Sequence, residues 1–357
     1  MSLACKGFAH GYSISRAVTM FALLSFHAIQ PAAAQTLAIQ DLGTLPGGAY
    51  SSAAAINDSG QVVGRASIAP DGVVVHAFLY RQGALIDLGT LPGGDVSLAY
   101  GINARGQVVG SGDAGPSTVS RQPSHAFLYD GGLMTDLGFP PDFFASDAAG
   151  INQHGRGQVV GTLYNGPHGE GHAYLYDHGH FHDLGSLPGY FDSSATAVNN
   201  RGQVVGTAGR GAHIHEPPHA FLYDKGVMTD LGTLPGGKYS YANAINDRGQ
   251  VAGDATVASG STHAFLYQRG TMIDLGTLPG GSYSSATGIN NRGQVVGFAD
   301  TADGDMHAIL IENGVMTDLG TLPGGHRSQA AGINELGQVV GEATTSTGAT
   351  HAVMWSR

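Results

Sequence analysis

The strongest constraint on this chain is that seven near-copies of one segment follow one another along its 357 residues. Successive copies lie 44 to 49 residues apart. The Asp-Leu-Gly element of each copy begins at Asp41, Asp87, Asp136, Asp183, Asp230, Asp274 and Asp318, and the His-Ala element at His76, His125, His172, His219, His263, His307 and His351. A fixed period of this size is typical of radial or solenoid repeats, in which no single unit buries its own apolar surface.

Four short strand candidates occur in the first unit, at Ser51 to Asn57, Gln61 to Ala66, His76 to Tyr80 and Ala84 to Gly89. Compact turns with glycine separate the first pair and the last pair, as in tight hairpins. The composition is that of a folded, turn-rich β protein, because 42% of the residues are hydrophobic, 12% are charged and glycine occurs 57 times. Four strands per unit predict an all-β fold, a seven-bladed β-propeller with four-stranded blades.

The two ends of the repeat region predict that the ring closes. The last copy ends after a third strand, His351 to Trp355, whereas Leu37 to Gly43 has the fourth-strand pattern and stands alone before the first complete unit. We therefore expect the N-terminal strand to complete the last blade, which removes open sheet edges. The small residues of 51–55 predict that the first strand of each unit is innermost. An open β-solenoid with capped ends is the alternative.

Residues 1–34 have the pattern of a secretory signal peptide. Lys6 and Arg16 precede an apolar run over 17–29, and 32–34 is an alanine triplet suited to cleavage before Gln35. The run is too short for a membrane span. We thus expect a propeller over 35–357 that is secreted to the periplasm or beyond the cell, without a transmembrane segment, and monomeric. Loss of the leader removes the sole cysteine and makes the net charge of −11 more negative by two, which disfavours nucleic acid as a partner.

These motifs resemble those of the HAF repeat family, predicted extracellular bacterial repeat proteins. The resemblance covers the mature chain and rests on His-Ala-Phe at 125–127 and 263–265, on 230–237 and on Gly-Gln-Val-Val-Gly at 293–297. It implies an exported repeat protein and brings no known activity. The departures are Tyr174, Ile309 and Val353 in place of the phenylalanine, and a missing Pro-Gly-Gly after Gly138.

The repeated histidines and aspartates favour a structural role. A reaction centre needs one asymmetric set of groups, whereas a residue present in every unit is more simply a hydrogen-bonding strut. Whether His76 reaches Asp87 depends on the hairpin between them, because a two-residue turn places both on one face and a three-residue turn with a bulge places them on opposite faces. The sequence leaves that register open. The turns at 57–60 and their equivalents offer too few carboxylates for calcium.

A ligand site is expected where the repeat is broken, because loops tolerate change and carry function. Residues 139–144 replace one Pro-Gly-Gly turn and 190–192 alter the next. Aromatic rings beside carboxylates bind sugars or extended peptides. The candidate ligand residues are Phe143, Phe144, Tyr164, Tyr190, Phe191 and Asp192. The alternative interpretation is that these units have drifted and their aromatics pack the rim of a wider loop.

Two neighbouring long loops also carry residues that suit zinc or another transition metal: His168, Glu170, His213 and His215. On this basis the second hypothesis is a metal-dependent hydrolase or lyase. No serine elbow, phosphate loop or cysteine nucleophile is visible. The leading hypothesis is therefore a non-enzymatic binding module without a cofactor, for a carbohydrate or an extracellular protein or peptide. A third possibility is a purely structural or adhesive surface protein.

Overall fold

The computed structural model describes residues 37–115, 123–153, 157–165, 171–209 and 217–357. Within these ranges the chain forms seven four-stranded antiparallel sheets, which confirms the predicted seven-bladed propeller. The predicted signal peptide over 1–34 lies outside the described residues. None of the described residues belongs to a helix long and apolar enough to cross a membrane.

The blades follow one another along the chain, each running from its innermost to its outermost strand. Blade 1 contains β2 (Ser51–Ile56), β3 (Val62–Ser67), β4 (Val75–Arg81) and β5 (Ala84–Asp87). Blade 2 contains β6 (Ser97–Ile102), β7 (Val108–Asp113), β8 (Ser124–Asp130) and β9 (Leu133–Gly138). Blade 3 contains β10 (Ala145–Ile151), β11 (Val159–Tyr164), β12 (Gly171–Asp177) and β13 (His180–Asp183). Blade 4 contains β14 (Asp192–Val198), β15 (Val204–Gly209), β16 (His219–Asp224) and β17 (Val227–Asp230).

The remaining three blades have the same order. Blade 5 contains β18 (Ser240–Ile245), β19 (Val251–Thr256), β20 (Thr262–Gln268) and β21 (Thr271–Asp274). Blade 6 contains β22 (Ser284–Ile289), β23 (Val295–Asp300), β24 (Met306–Glu312) and β25 (Val315–Asp318). Blade 7 contains β26 (Ser328–Ile333), β27 (Val339–Thr344) and β28 (Thr350–Ser356), and its outermost strand is β1 (Ala38–Gly43).

The ring is closed by pairing between the first and last strands, as predicted. β1 runs antiparallel to β28, with Ala38 opposite Ser356 and Asp41 opposite Val353. The open-solenoid alternative is therefore wrong. Closure gives every described blade a neighbour on both sides, and it supplies the fourth strand that blade 7 would otherwise lack.

The innermost strands surround a central channel. The strands β2, β6, β10, β14, β18, β22 and β26 together line a cavity of about 280 Å³. In each of them the register with the second strand shifts by one residue, at Ala53/Ala55 in blade 1, which is a β-bulge. Small residues suit this crowded position, and the prediction of innermost strands is confirmed.

The apolar core lies between the blades. Val62 and Phe78 of blade 1 pack with Val340 of blade 7, whereas the neighbouring Val63 packs with Val108 of blade 2. Successive residues of a strand point to opposite sides, so an apolar pair serves both interfaces. Burial of each such side chain stabilises the fold by roughly 1.5–3 kcal/mol. The family departures respect this packing, because Tyr174, Ile309 and Val353 are fully buried where phenylalanine stands in the other blades.

A repeated serine ties each innermost strand to the preceding blade. Its hydroxyl accepts a hydrogen bond from a third-strand N–H at 2.8–2.9 Å and donates to the glycine carbonyl of Asp-Leu-Gly at 2.5–2.7 Å. The serines are Ser51, Ser97, Ser146, Ser193, Ser240, Ser284 and Ser328, and each is buried. Two main-chain groups that would otherwise be buried without a partner are thereby satisfied at every interface.

A ring of asparagines joins all seven blades at the other end of the innermost strands. Each asparagine donates from Nδ2 to the carbonyl oxygen of the equivalent asparagine in the next blade, at 2.8–3.2 Å. We call this set the asparagine ring; it consists of Asn57, Asn103, Asn152, Asn199, Asn246, Asn290 and Asn334. The last bond runs from Asn334 to Asn57, which are 277 residues apart in sequence. The repeated Asn-x-x-Gly-Gln motif is therefore an inter-blade connector.

Candidate functional site

The propeller has two different faces. The turns within hairpins, 57–61 and 82–83 in blade 1, emerge on one face because neighbouring strands are antiparallel. The connections 68–74 and 88–96 emerge on the other. We call these the hairpin face and the loop face. Both irregular segments singled out from the sequence, 139–144 and 190–192, connect one blade to the next and lie on the loop face.

The repeated histidine and aspartate form a hydrogen-bonded pair in every blade, on the loop-face side. The distance between His Nδ1 and Asp Oδ2 is 2.7–3.0 Å. In blade 1 the intervening turn has two residues, with positive φ at Gln82 (53°) and Gly83 (85°), so His76 and Asp87 share one face of the sheet. The structure thus settles the register that the sequence left open.

These pairs have a structural role in each blade. Asp87 Oδ1 accepts the Gly89 N–H at 2.8 Å while Oδ2 contacts His76, and the same arrangement recurs around the ring. The Asp87 side chain is 42% exposed, so its contact with His76 contributes little stability. Seven equivalent pairs provide no asymmetric centre for a reaction, which agrees with the hydrogen-bonding role expected from the sequence.

In blade 3 the predicted ligand residues occupy two environments. Phe143 packs edge-on against His172, with ring centroids 6.2 Å apart. Phe144 is 41% exposed, and its N–H donates to the Tyr164 carbonyl at 2.9 Å. Phe139, at the same connection, packs against His125 at 5.0 Å. Phe144 therefore presents its ring to solvent, whereas Phe143 and Phe139 cover repeated histidines.

Tyr164 is fixed by a buried carboxylate. Its hydroxyl donates to Asp147 Oδ2 at 2.5 Å, and the Thr162 N–H donates to Oδ1 at 2.9 Å. Burial raises the pKa of Asp147, and burial together with the Asp147 charge raises the pKa of Tyr164. The Tyr174 hydroxyl donates to the Asp147 carbonyl oxygen at 2.8 Å, which explains why blade 3 has tyrosine where most blades have phenylalanine. Tyr164 is a positioned part of the loop-face surface of blade 3.

In blade 4 the predicted residues begin the innermost strand. Tyr190 packs with Leu187 and lies 5.9 Å from the ring of His219. Phe191 is 62% exposed, and its N–H donates to the Gly209 carbonyl at 3.0 Å. Asp192 is the first residue of β14. The structure therefore places Phe143, Phe144 and Tyr164 on blade 3 and Tyr190, Phe191 and Asp192 on the adjacent blade 4, with one exposed phenylalanine on each.

The predicted metal ligands fall in two of the segments that the structure does not describe. His168 and Glu170 lie within 166–170, and His213 and His215 within 210–216. Across the described ranges, no three or more histidine, cysteine, aspartate or glutamate side chains are grouped to hold a metal ion.

A second variable region lies beside the central channel, and sequence reasoning missed it. The second strand of each blade reads Val-Val-Gly or Val-Ala-Gly and then one variable residue, of six types in the seven blades. The preceding glycine is constant because a Cβ there would lie about 2 Å from a main-chain oxygen of the innermost strand, as at Gly64. We call the following position the variable column; its members are Arg65, Ser111, Thr162, Thr207, Asp254, Phe298 and Glu342. Aligning the seven copies column by column would have revealed it.

In blade 1 the variable column supplies a cation that caps a tyrosine. The Arg65 guanidinium carbon lies 6.0 Å from the Tyr50 ring centroid, and Arg65 Nε donates to the Tyr50 hydroxyl at 3.1 Å. Tyr50 directly precedes the repeated Ser51, and tyrosine also occupies that place in blades 5 and 6, as Tyr239 and Tyr283. This arrangement is a cation–π contact supplied by the chain itself.

In blade 5 the same column supplies an anion. Asp254 Oδ1 accepts a hydrogen bond from Asn243 Nδ2 at 3.0 Å and from the Ser285 hydroxyl of blade 6 at 2.8 Å. Burial raises the pKa of Asp254, and burial and then the Asp254 charge raise the pKa values of Tyr241 and Tyr283. We call this region the blade 5/6 cleft; it consists of Tyr239, Tyr241, Asn243, Asp254, Tyr283 and Ser285.

The described structure is similar to solved β-propellers, whereas no family model and no curated protein sequence matches the chain. It matches the β-propeller domain of the trilobed protease from Pyrococcus furiosus at 12% identity and a TM-score of 0.56, covering 87% of this chain and 94% of that one. Two structures of puromycin hydrolase match at 14% identity, with TM-scores of 0.51 and 0.50 and coverage of 82% and 88% of this chain. This chain spans about half the length of those hydrolases, 47% and 52%. At these identities the chain shares their fold, a β-propeller.

Proposed function

We propose that this protein is a secreted, non-enzymatic binding module that holds a carbohydrate or an extended extracellular peptide on the loop face of blades 3 and 4. The observation that carries the proposal is the exposure of Phe144 (41%) and Phe191 (62%) at the two connections where the repeat is broken. Solvent-facing aromatic rings on a rigid β scaffold provide flat apolar surface at low entropic cost.

Polar groups beside these rings support a ligand of this class. Tyr164 pairs with Phe144 through the main chain and is oriented by Asp147, and Asp192 follows Phe191 directly. Sugars and peptide main chains need both an apolar platform and fixed hydrogen-bonding groups. The Phe144 and Phe191 N–H groups each donate to a carbonyl oxygen at the end of the second strand of their blade, which ties both segments to the sheet and lowers the ordering entropy lost on binding.

The non-enzymatic part of the proposal rests on the equivalence of the blades. The most prominent pair of polar groups, histidine with aspartate, occurs in the same geometry in every blade. It has the same structural task in each, because the aspartate also anchors the glycine of Asp-Leu-Gly. What distinguishes blades 3 and 4 is aromatic surface, which suits binding more than bond cleavage.

A glycan and peptide array probed with the full chain tests the proposal. The double variant Phe144→Ser/Phe191→Ser should lose binding to any ligand that the wild type retains, by about tenfold or more, because two aromatic contacts are removed. The matched control is Val227→Ser/Leu336→Ser, which alters two exposed apolar residues of the hairpin face, 63% and 65% exposed. Equal binding by wild type and the phenylalanine variant to every ligand would contradict the assignment.

Export is a separate part of the proposal and has its own test. Cells that produce the full chain should export it, whereas a variant lacking residues 2–34 should stay in the cytoplasm, because the positive and apolar segments that direct secretion are gone. Recovery of both forms from the cytoplasm would refute secretion and leave the binding assignment to be judged by the array.

A further inference from the structure

We propose that the blade 5/6 cleft binds an organic ammonium group, with Asp254 as the counter-ion and Tyr239, Tyr241 and Tyr283 as the aromatic surround. This site is distinct from the surface of blades 3 and 4 and does not depend on the function proposed for that surface.

Asp254 is a half-buried carboxylate whose bonding is incomplete. Both hydrogen bonds recorded for it, from Asn243 and Ser285, reach Oδ1. Among the described residues no lysine, arginine or histidine forms an ion pair with Asp254, and no donor reaches Oδ2. A carboxylate removed from water without a cation is costly, so a cation that reached Oδ2 would be favourably bound.

Aromatic side chains adjoin that carboxylate from both blades. Tyr241 lies directly opposite Asp254 in the pairing of β18 with β19. Tyr239 meets Tyr241 at 5.7 Å with an interplanar angle of 61°, so the two rings form a corner, and the Tyr239 hydroxyl is held at 3.0 Å from Thr262 Oγ1. On blade 6, Tyr283 is two residues before Ser285 and stacks on Phe298 at 6.0 Å. Tyr239 and Tyr283 are thus held by neighbouring side chains, and Tyr241 lies on the strand position that faces Asp254.

Blade 1 contains an internal precedent for a cation at this place in the fold. There the tyrosine equivalent to Tyr239 is Tyr50, and the residue equivalent to Asp254 is Arg65, whose guanidinium lies over the Tyr50 ring. Blade 5 keeps the tyrosine, adds Tyr241 and replaces the arginine with a carboxylate. The blade 5/6 cleft therefore keeps the aromatic surroundings that the Arg65 guanidinium has in blade 1, but it has a carboxylate in place of the guanidinium. A cation at this place would have to be supplied by a ligand.

The surroundings favour an organic ammonium group over a metal ion. Calcium requires roughly 6–8 oxygen ligands, several of them charged, whereas the cleft offers one carboxylate. Aromatic rings beside a single anion are the combination that holds alkylammonium groups. A quaternary ammonium would use the rings and the charge, and a primary amine would also donate hydrogen bonds to Asp254 Oδ2 and the tyrosine oxygens.

The test is a titration of the full chain with tetramethylammonium chloride and, separately, with methylammonium chloride, at constant ionic strength and followed by NMR. We expect saturable binding of at least one probe. Asp254→Asn should weaken it by about 10- to 100-fold, because a charge-assisted contact is lost while an oxygen remains to accept from Asn243 and Ser285. Tyr241→Leu should weaken it by about tenfold, and Tyr241→Phe by much less, because the ring is kept.

Glu342→Gln is the matched control, since it removes one negative charge from the same column in blade 7 and should leave affinity unchanged. A preference for tetramethylammonium would point to a quaternary ammonium ligand and a preference for methylammonium to a primary amine; either supports the site. Absence of saturable binding, or equal affinity in wild type and Asp254→Asn, would overturn it. Because the array ligands are lost with Phe144 and Phe191 and these probes with Asp254, failure of one proposal is distinguishable from failure of the other.

Discussion

The two faces of this propeller are built by the same strands and yet differ in kind. At the hairpin face every blade presents the same asparagine, glycine and glutamine, and the asparagine bonds to the next blade. Toward the loop face, one position of the second strand differs between blades. This variable column includes arginine, threonine, phenylalanine and two acidic residues. At the hairpin-face end the residues are constant, whereas at the loop-face end the constant inter-blade serine lies beside positions that vary.

This difference shows how the blades of a repeat protein can diverge in sequence while the ring stays closed. Residues whose hydrogen bonds cross to a neighbouring blade must match that neighbour, so a change in one copy damages two. Variable-column side chains have no such common partner, because Arg65 caps a tyrosine whereas Asp254 accepts from the next blade. Substitutions at the two ends should therefore have very different effects.

The largest effect is expected in the asparagine ring. Asn246→Ala removes the donors to Gln250 and Asn290 and the acceptor of two main-chain N–H groups; the bond to Asn290 is buried and the other three are partly buried. We expect a loss of about 3–5 kcal/mol in the free energy of unfolding, measured by urea denaturation. Asn246→Asp keeps the acceptor but turns a carboxylate oxygen toward Gln250 Oε1 and the Asn290 carbonyl oxygen, so it should not restore the lost stability. Equal free energies of unfolding for wild type and the alanine variant would contradict the proposed difference between the two faces.

A smaller effect is expected for the repeated histidine–aspartate pair. Asp274→Ala removes the contacts to His263 and to the Gly276 N–H, but the carboxylate is 40% exposed and water replaces part of what is lost. The expected cost is about 1 kcal/mol, seen as a lowered melting temperature. Asp274→Asn separates the two contacts, because it retains an oxygen for the glycine. A cost as large as that of Asn246→Ala would show that the repeated pair matters as much for stability as the asparagine ring.

A pH-dependent effect is expected at Asp147, whose pKa burial raises above the ordinary 3.8. The folded protein therefore favours the protonated carboxyl, and the stability that this form gives is lost as the pH rises through the raised pKa. The Asp147→Asn variant imitates the protonated form at every pH. Its free energy of unfolding relative to wild type should accordingly increase as the pH rises above the ordinary carboxyl pKa of 3.8. A difference that stays constant with pH would contradict the raised pKa.

The smallest effect is expected in the variable column itself. Thr207 of blade 4 is half-buried and occupies the place of Asp254 and Arg65. Thr207→Ala should change the free energy of unfolding by less than about 0.5 kcal/mol. The same urea titration used for Asn246→Ala measures it, and a cost above about 2 kcal/mol would show that this column is structural in every blade.

The architecture could be predicted from the sequence because each feature is seen seven times. Strand number, the innermost position of Ser51–Ile56 and closure by β1 all depend on patterns that repeat. The pairing of His76 with Asp87 could not be predicted, because it depends on a turn in which Gln82, a residue other than glycine, takes a positive φ of 53°.

The site was harder to predict than the fold. Aromatic residues at 143 and 190 were predicted as ligand contacts from their departure from the repeat, and their rings pack against His172 and His219. Asp254 belongs to no motif, and its significance depends on Tyr241 opposite it and Ser285 on the next blade. A motif within one repeat does not predict the contacts that the repeat makes with its neighbours. The assignments of Phe144 and Phe191 stay predictions until a ligand is tested.

The bond from Asn334 to Asn57 shows what decides how many copies this architecture accepts. Each hydrogen bond of the asparagine ring spans an amide-to-carbonyl distance of about 3 Å, and seven such bonds close the ring. An eighth copy would widen the asparagine ring, change the tilt between blades and turn each amide away from its carbonyl. The bonds of the ring would then be weaker, because hydrogen bonds weaken steeply with misalignment. The geometry of one asparagine bond, repeated in every blade, thus favours a ring of seven blades.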